Sequence, residues 1–399
     1  MPASLGLKLY NLGQRRDGAA QTGERPVRPA GRLVWLHAPG AAQISPMLAL
    51  AHRLITEDGF GVILTCPDPV PPRDGVVSQL PPVDMPEDIR AFLDHWQPEL
   101  AVFAEGELRP ATLHQAGERG IPLLMANGRA PHFLRDRDTW YPGLMRSALA
   151  RFSHIWTVDE AAARTFRKAG AGLSVVAVTG RMEDESAALP CLEAERVALA
   201  RLLAARPVWF AAGVPEAEEA AIMDVHRAVL QQSHRLLLIL MPEDPDRAGP
   251  LARQLEDQEG WAVAQRLHDE EPDQGVEVFV VDNPAEYGLW YRLAPVTFLG
   301  GSLLGQGPVR TPMEPAALGS AILHGPATGA QGPVFTRLAA ARATRAVAST
   351  TDLVDALGDL LSPDRAARLA QAAWAVVSDG AEVTERLLHR IRTLTDGGT

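Results

Sequence analysis

The 399-residue chain has only two cysteines, Cys66 and Cys191, and no run of about 20 apolar residues of the kind that spans a membrane. Two distant cysteines argue against a disulfide framework and match no metal-ligand spacing, which indicates a reducing compartment. The first 29 residues lack the apolar segment of a signal peptide. We therefore expect a cytoplasmic protein that needs no metal and no other cofactor.

The chain is also poor in positive charge. Its 38 Lys and Arg residues face 49 Asp and Glu residues, a net charge of -11. This balance argues against nucleic acid as a partner, because phosphate backbones bind basic surfaces. Residues 1–56 differ, with seven basic residues against two acidic ones. That segment is either a solvated tail or a weak contact with an anionic membrane face, such as the cytoplasmic face of an inner membrane.

The apolar content of 46% is enough for two sizeable cores, and the length favours two domains. Short apolar runs alternate with helix-length segments, which is typical of parallel sheets. The predicted strands are Leu33–Ala38, Gly61–Thr65, Leu100–Ala104, Pro122–Ala126, His154–Val158 and Val175–Thr179, then Val208–Ala212, Leu236–Met241, Val276–Val281, Val296–Gly300, Ala321–Leu323 and Arg345–Ala348.

This pattern predicts an α/β protein with two Rossmann-like domains that face a central cleft. The segment between the two strand series is charged and rich in alanine, so we place the boundary there. The predicted organisation is a polar tail over 1–30, a first domain over 31–190, and a second domain with terminal helices over 206–399. Ligands of such pairs bind outside the carboxyl ends of the strands.

Polar residues follow several of these strands. Glu105 and Glu107 come after the third strand, and Arg129 follows the fourth. The two carboxylates are candidates for binding sugar hydroxyls, although a solvated helix start explains them equally well.

In the second half, Gly300, Gly301 and Ser302 end a strand, and Glu314 opens a later helix. Glycines at a strand end let backbone N–H groups approach a phosphate or carboxylate. The Glu314 carboxylate can accept hydrogen bonds from two ribose hydroxyls. The sequence therefore predicts a nucleotide-sugar site in the second domain.

At these residues the chain resembles the 3-deoxy-D-manno-octulosonic acid (Kdo) transferases of Gram-negative bacteria, from about Val34 to Ala381. The resemblance implies the GT-B glycosyltransferase architecture and inverting transfer of Kdo from CMP-Kdo to a lipid A precursor. Further landmarks in the same order are Trp35-Leu36-His37-Ala38, Phe92-Leu93-Asp94, Asn127-Gly128-Arg129, Glu218-Glu219, Leu289-Trp290-Tyr291 and Gly325-Pro326.

The resemblance implies a role for each candidate. Donor contacts fall on Gly300, Gly301, Ser302, Glu314, Glu286 and Arg310, and acceptor contacts fall on Glu105, Glu107 and Arg129. The family's catalytic base, a glutamate, corresponds to Gln43, whose amide cannot take up a proton. Loss of a general base typically lowers a rate by roughly 10²–10⁴.

Other departures affect the donor contacts. A family Arg-His pair is Glu243-Asp244 here, and residues 214–286 hold seventeen acids against five arginines. Three hypotheses stay open: a weak Kdo transferase with Glu105 or Glu107 as base, a silent homologue that binds a ligand or partner, and a transferase with a different donor. The expected partners are a CMP-Kdo-like nucleotide sugar and a lipid A-like acceptor.

Overall fold

The structure, a computed structural model, describes residues 5–13, 26–135, 140–182, 188–204, 206–305, 307–308 and 310–396. It divides the chain into two compact units, Met1–Glu185 with Asp379–Thr399, and Ser186–Ser378. Each unit is built on apolar strands that are buried on both faces, which is the environment of a parallel sheet between helices.

The first unit contains nine strands and six complete helices among its described residues. Its strands are β1 (Leu33–His37), β2 (Gly61–Thr65), β3 (Val76–Gln79), β4 (Leu100–Ala104), β5 (Glu107–Leu108), β6 (Leu123–Gly128), β7 (His132–Phe133), β8 (His154–Thr157) and β9 (Val176–Val178). Its helices are α1 (Leu5–Gly13), α2 (Ile44–Asp58), α3 (Pro86–Trp96), α4 (Pro110–Glu118), α5 (Leu144–Leu149) and α6 (Glu160–Lys168).

Seven of these strands form one parallel sheet in the order β3-β2-β1-β4-β6-β8-β9. The short strands β5 and β7 pair separately, with Glu107 opposite His132. Apolar cores cover both faces of the large sheet, one around Trp35 and Phe103 and the other around Leu36 and Val102.

The second unit repeats this plan. Its strands are β10 (Val208–Val214), β11 (Leu237–Pro242), β12 (Val263–Gln265), β13 (Val278–Val280), β14 (Val296–Leu299), β15 (Ala321–His324) and β16 (Arg345–Ala346). Its helices are α7 (Glu193–Leu203), α8 (Glu216–Leu230), α9 (Ala248–Gln254), α10 (Tyr287–Leu293), α11 (Met313–Ala317), α12 (Gly332–Ala340), α13 (Thr350–Leu360) and the first half of α14 (Pro363–Asp396). The parallel strand order is β12-β13-β11-β10-β14-β15-β16.

Two doubly wound parallel sheets confirm the predicted α/β class. Every predicted strand overlaps an observed one, but β3 and β12 were not predicted. Both are short edge strands whose residues are only partly buried, so neither carries the apolar run that signals a central strand. Strands β5 and β7, which pair with each other, were not predicted either. Each has only two residues, which is too short for a periodic pattern.

The N-terminal segment differs from the predicted polar tail over 1–30. Residues 5–13 form α1, in which Leu7 and Tyr10 are buried. The Tyr10 hydroxyl donates a hydrogen bond of 2.7 Å to the buried Asp84 carboxylate, which also accepts from the Thr112 N–H at the start of α4. Residues 1–4 and 14–25 lie outside the described part of the chain.

The C-terminal boundary also differs from the prediction, which assigned 206–399 to the second domain. Helix α14 leaves the second unit near residue 378, and its last turns pack on the first unit. There Leu387, Leu388 and Ile391 join the core beside Leu36. Arg392 completes the contact through a hydrogen bond of 2.8 Å to Asp58. The sequence shows only helical periodicity here, which does not reveal which core a helix face joins.

Both cysteines are free, and burial raises the pKa of the Cys66 thiol. Among the residues that the structure describes, no helix is long and apolar enough to cross a membrane.

We predict that Leu388→Ala destabilises the first unit by about 3 kcal/mol, because it empties a fully buried site on α14. Trp374→Ala on the same helix is the control, since its side chain is 54% exposed and its loss should change stability little. Urea unfolding of the full chain measures both. Equal stability of the two variants would contradict the assignment of the last turns of α14 to this core.

Candidate functional site

Each unit has one point where successive strands diverge to opposite sides, which is where parallel α/β sheets bind ligands. In the first unit this point lies between β1 and β4, and in the second between β10 and β14. The loops that leave β1, β4, β6 and β14 at their carboxyl ends hold most of the predicted site residues. The two sites are described separately below.

Gln43 lies in the first unit, in a single 3₁₀ turn between β1 and α2. Its side chain is buried, and its Oε1 accepts a hydrogen bond of 3.0 Å from Asn127 Nδ2 at the end of β6. Asn127 is fixed in turn, because its Oδ1 accepts the Met182 N–H at 2.7 Å. Gln43, to which the resemblance assigns the position of a base, is therefore a rigid amide whose oxygen already has a donor.

Glu107, predicted to contact the acceptor or to lie in a solvated helix start, lies in a buried polar network. Its Oε1 is 3.0 Å from His37 Nε2 and 3.1 Å from Arg109 Nη1, and Glu107 is only 5% exposed. On the far side of the imidazole ring, His37 Nδ1 lies 2.9 Å from Thr65 Oγ1, which accepts from the Trp35 indole N–H at 2.9 Å. The Thr65 hydroxyl therefore donates to Nδ1, and His37 Nε2–H donates to Glu107.

The protonation states follow from this network. Burial lowers the pKa of His37, so the imidazole is neutral. Burial opposes ionisation of Glu107, but donation from His37 and the Arg109 guanidinium outweighs it and lowers the pKa of Glu107. A buried carboxylate of lowered pKa is a poor proton acceptor.

Glu105 is the more accessible of the two carboxylates that follow β4. It adopts a left-handed conformation with φ of 68°, and its side chain is 28% exposed. Its nearest cation is Arg129, whose Nε lies 3.7 Å from Oε1 and whose side chain is 47% exposed. The turn is kept tight by Gly106, where a Cβ would lie 2.1 Å from the Ala130 carbonyl oxygen. The two predicted acceptor carboxylates therefore differ, since only Glu105 is free of a buried network.

In the second unit, the predicted ligand of the glycine loop is supplied by the chain itself. The fully buried Glu218, in the first turn of α8, accepts N–H bonds from Gly301, Leu303, Leu304 and Gly305 at 2.8, 2.7, 2.6 and 3.1 Å. The loop binds a carboxylate, as predicted, but that carboxylate is internal. Of the predicted residues, Gly301 donates its N–H to this internal carboxylate, and Gly300 donates to the Ala212 carbonyl at 2.9 Å.

Gly300 and Ser302 also have structural partners. A Cβ at Gly300 would lie 2.4 Å from the Gly213 carbonyl oxygen, so glycine permits close contact between β14 and β10. The Ser302 hydroxyl is fully buried, donates to the Leu299 carbonyl and accepts from the Gly325 N–H at 2.8 Å. Ser302 thus ties two loops of the second unit together.

Glu314 is occupied as well. Both of its oxygens accept from the Arg310 guanidinium, at 2.9 and 2.6 Å, and Oε2 accepts from the Tyr291 hydroxyl at 3.3 Å. Arg310 also lies over the ring of Tyr287, 4.6 Å from its centroid. Burial raises the pKa of Glu314 against the opposing pull of Arg310, and it raises the pKa of Tyr287 to about 12. Ribose recognition by Glu314 would require displacement of this fork.

Glu286 borders a pocket of about 350 Å³ that Cys191 and Asn283 also line. Arg266 donates to both of its oxygens at 3.1 Å and contacts Glu195 as well. Both carboxylates that line this pocket, Glu195 and Glu286, are therefore already neutralised by Arg266.

Glu243 and Asp244, the adjacent acids that follow β11, have separate surroundings. The exposed Glu243 lies close enough to Tyr287 for its charge to add to the effect of burial on that hydroxyl's pKa. Asp244 accepts the Asp246 N–H at 3.0 Å and so shapes a turn. Within the described residues, no group of three or more His, Cys, Asp or Glu side chains is arranged to hold a metal ion.

Comparison with known proteins shows which proteins the chain is similar to. The family model described as 3-deoxy-D-manno-octulosonic-acid transferase (kdotransferase) matches residues 11–183. A 3-deoxy-D-manno-octulosonic acid transferase of Bordetella pertussis is 29% identical over 393 residues, which cover 93% of this chain and 89% of the relative. That of Haemophilus influenzae is 27% identical over 322 residues, covering 80% and 75%. Over most of its length this chain is therefore similar to Kdo transferases.

Two solved structures match the chain at low similarity. The C-terminal CMP-Kdo binding domain of WaaA from Acinetobacter baumannii has a TM-score of 0.43 at 23% identity and covers 47% of this chain and 99% of its own. MurG from Acinetobacter baumannii has a TM-score of 0.48 at 13% identity, covering 91% and 100%.

Sequence reasoning missed two features of this chain. Glu218 was only a landmark, although it fills the glycine loop, and its partners lie 83 to 87 residues away. His37 was also only a landmark, although it holds Glu107 across 70 residues. A buried acid in a helix first turn gives no sequence signal that separates it from an ordinary dipole-compensating acid.

We predict that Glu218→Gln lowers the free energy of unfolding by roughly 3 kcal/mol. The amide keeps one acceptor oxygen but turns an NH₂ group toward at least one buried backbone donor. Glu216→Gln on the same helix turn is the control, because its side chain is 77% exposed. Thermal and urea unfolding measure the difference, and similar values for both variants would show that Glu218 does not hold the loop.

Proposed function

We propose that this chain is a glycosyltransferase that moves Kdo from CMP-Kdo to a lipid A-like acceptor, with the first unit taking the acceptor and the second the donor. Homology to Kdo transferases over most of the chain carries the proposal. Arg129 supports an acceptor role for the first unit, because it is an exposed guanidinium at the carboxyl end of the sheet and suits a phosphate group.

In the proposed reaction the acceptor hydroxyl oxygen attacks the anomeric carbon of Kdo. The bond between that carbon and the CMP phosphate oxygen breaks, CMP leaves, and the hydroxyl proton passes to a base. Gln43 cannot take this proton, and Glu107 is buried with a lowered pKa. Glu105 is the remaining carboxylate of the predicted acceptor group, so we assign it the proton. The Gln43 amide is suited to orienting the hydroxyl.

In the second unit, we propose that the donor binds at Tyr287, Arg310 and Glu314. The partly exposed Arg310 guanidinium, held over the buried Tyr287 ring, offers a planar positive charge for a nucleotide. Arg310 must leave Glu314 before that carboxylate can accept ribose hydroxyls. Gly300, Gly301 and Ser302 then shape the site without donating to the phosphate, since Glu218 holds their loop.

A silent homologue that only binds a ligand is the second candidate. The observation that favours it is the internal pairing of Glu314 with Arg310 and of Glu286 with Arg266, together with the amide at Gln43. In this case CMP or CMP-Kdo binds without turnover.

We predict that Gln43→Glu raises the rate of Kdo transfer by about 10²-fold, because the carboxylate keeps the bond from Asn127 and gains proton affinity. In the native chain, Glu105→Gln should lower the weak rate by a similar factor. The assay uses purified full-length protein, labelled CMP-Kdo and lipid A precursor. Gln97→Glu, an exposed amide before β4, is the matched control with the same charge change.

Three outcomes are distinct. An unchanged rate in Glu105→Gln contradicts the assignment of the base. CMP binding by calorimetry without transfer, in the native chain and in Gln43→Glu, favours the silent homologue. Transfer from another nucleotide sugar but not from CMP-Kdo overturns the proposed donor.

We also propose peripheral membrane contact through the outer face of α1. Leu5, Leu9 and Leu12 are 67%, 42% and 84% exposed, and their spacing of four and three residues places them within about 60° of one helix face. Lys8 lies beside this stripe. The ring of Trp140 is 87% exposed and adjoins Tyr141, which packs edge-on against Tyr10 of the same helix. An apolar stripe with a basic flank is typical of interfacial helices.

Vesicle sedimentation tests this contact. Leu9→Glu with Leu12→Glu should reduce binding to phosphatidylglycerol vesicles severalfold, because two charges enter the apolar stripe. Leu173→Glu is the control, since Leu173 is 78% exposed elsewhere in the first unit. Unchanged binding in the double variant would refute the role of α1.

A further inference from the structure

A basic pocket of about 410 Å³ lies in the second unit, away from every residue discussed above. Four arginines line it: Arg342 after α12, Arg345 at the start of β16, and Arg365 and Arg368 on α14. Asp359 is the single acid among the lining residues. Because Arg345 begins its strand, the pocket lies near the amino edge of the sheet, whereas the glycine loop follows the carboxyl end of β14.

The charges of this pocket are not balanced from within. Arg365 pairs with Asp359, but Arg342, Arg345 and Arg368 have no ion-pair partner among the described residues. The pocket thus carries three uncompensated guanidinium groups on a chain whose net charge is -11. Elsewhere in this unit, Arg247, Arg266 and Arg310 each pair with a buried or half-buried carboxylate. The three uncompensated arginines all lie at exposed positions around the same pocket, where an anion that enters can pair with them.

The backbone at Arg342 supplies an independent observation. Helix α12 ends in a Schellman motif, in which the Ala343 N–H donates to the Leu338 carbonyl at 2.8 Å and the Arg342 N–H donates to the Ala339 carbonyl at 2.9 Å. The residue at the left-handed position of this motif is usually glycine, yet here it is Arg342, with φ of 53°. An arginine is held where glycine relieves strain, and backbone strain of this kind marks functional positions.

We propose that this pocket binds a phosphate group, as a phosphate monoester or diphosphate of a small molecule or lipid. Guanidinium forks match phosphate oxygens in pairs, so three free arginines suit one diphosphate. Leu360 and Leu369 also line the pocket and offer an apolar surface for the remainder of the ligand. The site is separate from the proposed donor site and does not depend on the transfer reaction.

Isothermal titration of the full-length protein with inorganic pyrophosphate tests the site. Arg345→Glu with Arg368→Glu should weaken binding at least about tenfold, because the reversal removes two charge-assisted donors. The control is Arg201→Glu with Arg253→Glu, which makes the same charge change at exposed positions on α7 and α9 of the same unit. Equal weakening in both pairs would show that only net charge matters and would overturn the proposal.

Arg342→Gly separates binding from folding. It should raise the melting temperature by about 2 °C, since glycine fits the left-handed position, and at the same time weaken pyrophosphate binding. A more stable protein that binds less anion cannot be explained by damage to the fold. A variant that is stabilised and binds pyrophosphate as tightly as the native chain would contradict a role for Arg342 in the site.

A vesicle arm identifies the source of the phosphate. If the Arg345/Arg368 variant loses binding to phosphatidylglycerol vesicles relative to the Arg201/Arg253 control while pyrophosphate is not bound, the phosphate belongs to a lipid headgroup. Saturable pyrophosphate binding that the variant loses indicates a soluble ligand. If neither probe distinguishes the variant from its control, the pocket is not a phosphate site.

Discussion

The carboxylate of Glu218 is the interaction on which the second unit depends. It is fully buried, and four backbone N–H groups of one loop point at it. A buried carboxylate without such donors would be strongly destabilising, and four buried donors without it would be nearly as costly. The pair joins the first turn of α8 to the loop after β14, across the point where the strands diverge. The geometry of a phosphate-binding loop is therefore present, but it is used for folding.

Other acids of this unit also have internal partners, which are arginine side chains. Arg247 forks onto Glu219, Arg266 onto Glu286 and Arg310 onto Glu314. The sequence of 214–286 is strongly acidic, and it suggests a surface hostile to an anionic nucleotide sugar. Internal pairing weakens this electrostatic repulsion, since arginines neutralise Glu219 and Glu286 in that segment and Glu314 beyond it. It also withdraws the same acids from ligand binding, so the donor must compete with Arg310 for Glu314.

Much of the fold could be predicted because buried strands are visible in the sequence as runs of apolar residues. The strands around β1 and β10 were found to within about two residues. Edge strands β3 and β12 were not predicted because they are four and three residues long and carry no apolar run. Helix α1 was not predicted because its nine residues were judged together with the polar segment that follows them. Which core the last turns of α14 join depends on tertiary packing, and helical periodicity does not predict it.

The places of the predicted residues in the fold followed from the sequence, but their contacts did not. Glu105, Glu107 and Arg129 follow neighbouring strands, as expected from parallel topology. Glu105 and Glu107 are two residues apart, yet only Glu107 is buried. Its burial depends on the pairing of β5 with β7 and on His37, which is 70 residues away. The occupant of the glycine loop likewise depends on a contact between distant segments.

The most direct test of the central claim is amide hydrogen exchange at the glycine loop. The account predicts that the N–H groups of Gly301, Leu303 and Leu304 are strongly protected in the free protein and gain no protection when CMP is added, because Glu218 already accepts them. Rapid exchange in the free protein, followed by protection on CMP binding, would show that the loop is open and binds the donor phosphate itself.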